Sequence, residues 1–324
     1  MCTAAPALAW DAYGHRLIAT VAMEGAATRL GSEAPAWMKD KAVIAAVAEG
    51  AVTPDRWRSI KTPQLTHLNN PDHYVDIEEL ADYGMSLQKL PPLRHEYVRQ
   101  LTLAREKPDF KGPPINPAMD PDHVREYPGF LPHAATETWG KAVGALRTVR
   151  ILEQLHEPAR AGQLEAAKAA AIYNMGVLAH YAGDAAQPLH TTVHHHGWVG
   201  DNPGGYTTDR KIHSYIDGGV LKLHNIKLEE VRKACTWSVK PDPDTPWDSV
   251  ISELDRSFAK VEPLYQLRKS GDLDRAAGKA FIVERLADGA DTLSALYAAA
   301  WTAAAPTQKD VEEFVRYDNF DPAR

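Results

Sequence analysis

Apolar side chains recur at helical spacing along nearly the whole chain, and stretches that alternate apolar with polar residues are scarce. A period near 3.6 builds amphipathic helices, whereas a period of two builds half-buried strands. The pattern therefore predicts an all-α protein. "AYGHRLIATVAMEGAATRLG" reads as one helix ending at Gly31, and "APAWMKDKAVIAAVAEGA" as a second. "ATETWGKAVGALRTVRILEQLHE" is long and amphipathic, and "GQLEAAKAAAIYNMGVLAHYAGD" is alanine-rich. "DSVISELDRSFAKVEPLYQLRKS" and "LDRAAGKAFIVERLADGADTLSALYAAAWTAAA" predict a helical C-terminal region. The proline-rich stretch 107–132 is expected to be an extended surface loop, and a second irregular segment runs from His194 to Asp209. With no internal repeat and no linker of distinct composition, residues 10–324 are expected to form a single multi-helix domain.

At 44% hydrophobic and 24% charged, the composition is that of an ordinary soluble chain, and no run approaches the roughly 18 apolar residues of a membrane span. A formal net charge of -7 excludes a basic nucleic-acid coat. A phosphate-handling site would need cations from elsewhere, and bound metal is one source. Cys2 and Cys235 are too few for a disulfide framework or a cysteine-based zinc site. "MCTAAPALA", residues 1–9, ends in an A-x-A cleavage pattern and reads as the remnant of an export signal. A disordered leader is the alternative. With an upstream start, Cys2 would suit lipid attachment. Cleavage after Ala9 would begin the mature chain at Trp10 and place it in the periplasm or outside the cell.

The stretch "HYAGDAAQPLH" carries the chemistry. His180 and Asp184 lie one helical turn apart and so share a face; Pro188 breaks the helix, and His190 can fold back toward that face. Imidazoles beside a carboxylate suit zinc or a similar divalent ion; a helix end with chance polar residues is the bland alternative. "IHSYID" repeats the spacing with His213 and Asp217, "TPDRWRS" offers Asp55, "NNPDHYVDIE" offers His73, and "WDAYGH" offers His15 five residues after Trp10. Each alone is weak evidence among 14 histidines, but the set in this order is hard to obtain by chance.

In that order the chain resembles the phospholipase C / single-strand-specific zinc nuclease superfamily, of the nuclease S-one and P-one type. The family order is Trp, His, Asp, His, then His-x3-Asp-x5-His, then His-x3-Asp/Glu. It matches Trp10, His15, Asp55, His73, His180, Asp184, His190, His213 and Asp217 over residues 10–217. The string "GD-x2-QPLH" is also family-like. The resemblance implies a nearly all-α fold with a trinuclear metal cleft and three Zn2+ per chain. Asp55, His73 and His180 would hold one ion. Trp10, through its free amine and carbonyl, and His15 would hold the second, with Asp184 bridging. His190, His213 and Asp217 would hold the third. Asp55 is the residue expected to take the proton of the attacking water. Three Zn2+ would bring the charge of -7 close to neutral and concentrate the positive charge in the cleft.

Within the superfamily, the short Trp10–His15 gap, Asp217 in place of glutamate, and Tyr74 after His73 favour the nucleases, in which an aromatic at that point stacks on a base. Tyr74 as a core aromatic is the alternative. Gly204-Gly205-Tyr206, where the nucleases carry Gly-Gly-Asn, departs from them; so does "IHSYID", whose His-Ser-x-x-acid form is nearer the phospholipases. The nuclease disulfides are absent as well. The resemblance thus implies an endonuclease on single-stranded DNA or RNA leaving 5'-phosphates, with possible 3'-nucleotidase activity. A zinc-dependent phospholipase C acting on lipid head groups is the alternative, and a non-catalytic zinc-binding helical protein a third. A phosphohydrolase built on an adjacent His-Asp pair is disfavoured because the chain has no such dipeptide. His194, His195 and His196 fall on no family position and read as a solvated loop, with metal entry as the alternative. Trp198 and Tyr206 in the same loop are candidates to line the cleft. Arg56 or Arg58 can steady a phosphate or make surface ion pairs. The remaining histidines read as structural or exposed.

Overall fold

Apolar residues at helical spacing become helices throughout the computed structural model, and no β-strand occurs among the described residues. The structure describes residues 10–318 except 113, 116–119, 121, 122 and 124–126. Cys2, the expected cleavage at Ala9 and much of the 107–132 stretch lie outside the described residues. The helices are α1 (Ala12–Leu30), α2 (Lys41–Gly50), α3 (Thr53–Trp57), α4 (Pro63–Asn69), α5 (Arg94–Arg105), α6 (Leu131–Leu155) and α7 (Ala161–Ala185). They continue with α8 (Ile212–Ser214), α9 (Val220–His224), α10 (Leu228–Ala234), α11 (Pro246–Phe258), α12 (Val261–Ser270), α13 (Ala276–Ala303) and α14 (Gln308–Asp318).

One segment expected as a single helix is split, and part of the expected helical C-terminal region is divided. Residues 34–51 form a short 3-10 turn over Ala36–Lys39 and then α2, because the Asp40 carboxylate accepts the Ala42 N–H at 2.7 Å and caps a new start. Residues 248–270 divide at Ala259 and Lys260. Pro263 lies there, and proline is tolerated in a first turn but not in a helix interior, where it lacks the N–H and meets the carbonyl four residues back. α6 begins earlier than expected, at Leu131, with Pro132 in its first turn. α14 carries no signal in the sequence reading.

The core is built on two helices that are apolar nearly all round. α13 is buried continuously from Gly289 to Trp301, and α7 from Met175 to Ala185. A helix buried on every face cannot be amphipathic, and alanine is the residue that lets several neighbours approach it. α13 packs along α1, α6 and α7, while α7 also packs along α2 and α6. The far end of α7, which carries His180 and Asp184, therefore sits in the middle of the molecule.

The crossing of α2 and α7 depends on two glycines. A Cβ on Gly176 would lie 2.7 Å from the Gly50 Cα, inside any real contact distance. Gly176→Ala is therefore expected to force the helices apart and to destabilise the fold by roughly 1–3 kcal/mol. A chemical-denaturation midpoint equal to the parent's would show that the helices do not meet there.

Candidate metal centre

Three parts of the chain converge on the end of α7. α1 delivers His15, α3 delivers Asp55, and the 3-10 turn Pro71–His73 delivers His73. The turn Pro188–His190, which follows α7, brings His190 back over the helix end. His213 and Asp217 come from α8 and the single π-helical turn Tyr215–Gly219 that continues it, where the sequence spacing alone suggests a plain α-helix. One-turn π segments recur at functional sites because they re-aim side chains.

The donor atoms fall into three groups, each with all its atoms within 4.8 Å of one another: His15/His180/Asp184, Asp55/His73/His180 and His190/His213/Asp217. Every side chain that the family order marks as a ligand lies in one of them, apart from Trp10. Asp184 joins the first two groups. Its Oδ1 lies 3.5 Å from His15 Nε2, while its Oδ2 lies 3.1 Å from His73 Nδ1 and 3.3 Å from His180 Nε2. In the third group His190 Nε2 and His213 Nε2 are 3.0 Å apart, and His213 Nε2 is 3.5 Å from Asp217 Oδ2. His15 and His180 stack at 4.1 Å between centroids. Trp10 is fully buried at the head of α1, and the next residue's N–H donates to the Asp217 carbonyl at 2.9 Å. That bond ties the start of α1 to the third group.

The surrounding backbone orients these rings. His180 Nδ1 donates to the Ala51 carbonyl at 2.8 Å, and His190 Nδ1 donates to the His73 carbonyl. A carbonyl only accepts, so both rings carry the proton on Nδ1 and turn the Nε2 lone pair inward, as metal-binding histidines do. Gln187 donates to Asp217 Oδ1 at 2.7 Å and holds that carboxylate in place. The sequence reading did not single out Gln187, although it belongs to the family-like string. Gly183 is also silent there; a Cβ on it would lie 2.8 Å from His15 Nδ1, so the helix must be bare where the ring crosses it.

The donor set fits cations. Both His15 nitrogens, His73 Nε2, Asp55 Oδ1, Asp184 Oδ1, His213 Nδ1 and Asp217 Oδ2 are buried without a hydrogen bond. Such atoms are costly unless something electropositive satisfies them. Burial, followed by neighbouring imidazoles, holds His15, His73 and His213 well below the usual histidine range, leaving them neutral with lone pairs to give. Burial also raises Asp55 to about 6 and Asp184 to about 7, and lifts Asp217 well above the carboxylate range. Without cations, these carboxylates are driven to hold protons instead.

Around the groups, the other candidates take distinct places. Arg56 pairs with Glu49 at the surface, but Arg58 is largely buried and its Nη1 lies 3.9 Å from Asp55 Oδ1. Its charge helps depress His73, His180, His190 and His213, so it faces the groups. The backbone carbonyl of Tyr74 accepts the Leu131 N–H at 3.1 Å, and its half-buried ring sits 6.5 Å from the His195 ring. His194, His195 and His196 are half-buried rather than solvated. His194 stacks on Trp198 at 3.9 Å, and Trp198 and Tyr206 pack on Tyr265, bracing the loop. His133 is wholly buried, with Nε2 donating to the Pro91 carbonyl at 2.9 Å. Compared with family models, curated proteins and solved structures, the chain matches none.

Proposed function

We propose that this chain is a zinc-dependent phosphodiester hydrolase with the fold and trinuclear cleft of the zinc nuclease type, cleaving single-stranded DNA or RNA. The observation that carries the reading is the set of buried histidines and aspartates in three groups, two of them sharing His180 and joined by Asp184. Asp55, His73 and His180 would hold one Zn2+. His15 and Asp184 would hold a second, completed by the Trp10 amine and carbonyl once the chain is cleaved after Ala9. His190, His213 and Asp217 would hold the third. Bound zinc supplies a Lewis acid for phosphoryl oxygens and lowers the pKa of bound water toward about 7. Asp55 would take the proton of the attacking water, a role supported by its Oδ1 being buried without a hydrogen bond. Arg58 offers a guanidinium fork beside it for a phosphate, a pairing that suits its planar donors. If the A-x-A pattern of residues 1–9 is an export signal, the protein would be secreted or periplasmic. No helix among the described residues is long and apolar enough to cross a membrane.

A panel assay with single-stranded DNA, RNA, a 3'-nucleotide and phosphatidylcholine, with and without chelator, tests the reading. Nucleic-acid turnover abolished by chelator and restored by Zn2+ is the expected result. Lipid hydrolysis without nucleotide turnover would move the protein to the phospholipase reading, which the His213-Ser214-x-x-Asp217 form favours. Three bound ions without any turnover would leave a non-catalytic zinc protein.

Tyr74 is assigned to the substrate because its ring is half-buried next to His73 while its backbone is fixed by Leu131. Tyr74→Ala is expected to raise KM for single strands by the equivalent of roughly 1–3 kcal/mol, the usual value of stacking one base on an aromatic ring. Because the ring touches no reacting atom, kcat should change little. Steady-state kinetics on an oligonucleotide measures both, and an unchanged KM would return Tyr74 to the core.

A further inference from the structure

The third group is deeply enclosed: His190, His213 and Asp217 are each at most 5% exposed. A hydrated ion cannot reach such a site without exchanging its water for protein donors on the way. The loop after His190 places two further imidazoles beside His213. His195 and His196 are half-buried at the rim, with ring centroids 4.8 Å apart. His196 lies 5.4 Å from His213 and His195 lies 6.3 Å from it, and His213 lies 4.9 Å from His190.

The rim rings are held in place. His195 Nδ1 donates to the Thr192 carbonyl at 3.0 Å and lies 3.6 Å from Asp76 Oδ1, which fixes the orientation of the ring. A backbone carbonyl accepting from the outer nitrogen of a histidine in this way is a usual outer support of a metal-binding ring. His196 Nδ1 is buried without a hydrogen bond, and so is His213 Nδ1. Glu78 accepts the Val193 N–H at 3.2 Å and the Thr192 hydroxyl, so the segment that carries the pair is anchored.

We propose that His195 and His196 form an outer docking pair that captures a divalent transition-metal ion from solution and passes it, ring to ring, to the His190/His213/Asp217 group. The inference rests on the metal-centre reading above and extends it to loading. At each step one imidazole replaces one water or one earlier imidazole on the ion; when the ion reaches the third group the proton held by Asp217 is released to solvent, and no electron changes hands. The pair is an entry device, and the filled protein does not need it to keep its ions.

Stopped-flow mixing of chelator-stripped protein with Co2+, followed by its d–d absorption, tests this. The phase missing in Asp217→Asn identifies loading of the third group. In the His195→Gln/His196→Gln variant that phase is expected to slow by roughly ten-fold or more, the lower end of what losing an outer partner does at a metal site. The final cobalt content and the other phases should match the parent. The single variant His196→Gln repeats the test with less demand on packing. An unchanged rate would overturn the proposal, and so would a lower final cobalt content in a folded variant, which would make the pair permanent ligands. A parent that takes up no cobalt would instead refute the metal centre itself, with or without a docking pair.

Discussion

Asp184→Asn is expected to strip the ions on both sides of that residue and to lower turnover by roughly three orders of magnitude or more, equivalent to several kcal/mol of lost transition-state stabilisation. The reason is geometric. One carboxylate oxygen faces His15 at 3.5 Å, and the other faces His73 at 3.1 Å and His180 at 3.3 Å. Asparagine keeps one acceptor oxygen and replaces the other with an NH2 group, which donates and cannot ligate. It also removes the one negative charge that lies between three neutral imidazoles. The fold should survive, because the substitution is nearly isosteric and burial already drives the metal-free carboxyl toward its neutral form, at about 7. Asp217→Asn should be milder in metal loss, since Asp217 belongs to the third group alone and Gln187 still holds its position. Elemental analysis of both variants, with melting curves as the control, separates the roles. Equal metal content in the two would contradict the bridging position of Asp184.

The helices and the donor residues were legible for different reasons. Periodicity marks α6 because it has a dry side and a wet side, whereas in α1 only a half-buried stripe of Arg16, Thr20 and Glu24 interrupts the buried residues from Gly14 to Ala26. It marks α7 and α13 only through their alanine-rich composition, because a helix buried on every face leaves no stripe to read. The breaks at Asp40 and Pro263 were written in the sequence as cap and breaker residues, but apolar periodicity runs across both and hid them. His180, Asp184, His213 and Asp217 were visible as turn-spaced pairs. His15, Asp55 and His73 come from separate elements, and only the order of the whole set linked them. What no spacing could show is which groups share a donor. That His180 serves two groups, and that Arg58 rather than Arg56 faces them, depends on how α3 docks beside α7. The loop histidines were misjudged as solvated because their cover, Tyr265 and Trp198 with Tyr206, comes partly from α12, a distant part of the chain.

Removing metal should lower the melting temperature by more than about 10 °C near neutral pH, and the gap between loaded and stripped protein should widen as pH rises from 5.5 to 8. A ligand present at about a thousand times its dissociation constant stabilises the fold by about 4 kcal/mol per site, and in a chain of this size each kcal/mol moves the midpoint by roughly 2–4 °C. The pH trend follows from the buried groups. Asp55 and Asp184 in the stripped protein are raised to about 6 and about 7. A raised carboxyl favours the folded state fully only below its unfolded value, near 4, and that contribution is lost as pH rises through 6 to 7. The depressed histidines act in the opposite sense: their burial costs stability as pH falls below about 6.5 and adds nothing further above it. Above that point only the carboxyl effect remains, so stripped protein weakens toward pH 8. Metal binding gains over the same interval, because the ion no longer competes with protons on Asp184 and Asp55. The two trends are one linkage, because the protons that stabilise the stripped fold are those the ion displaces, and the gap should level off just above the Asp184 value. Paired melting curves with excess Zn2+ and with chelator at several pH values measure it. A gap under about 1 °C at every pH would mean that these histidines and aspartates are an ordinary buried polar network.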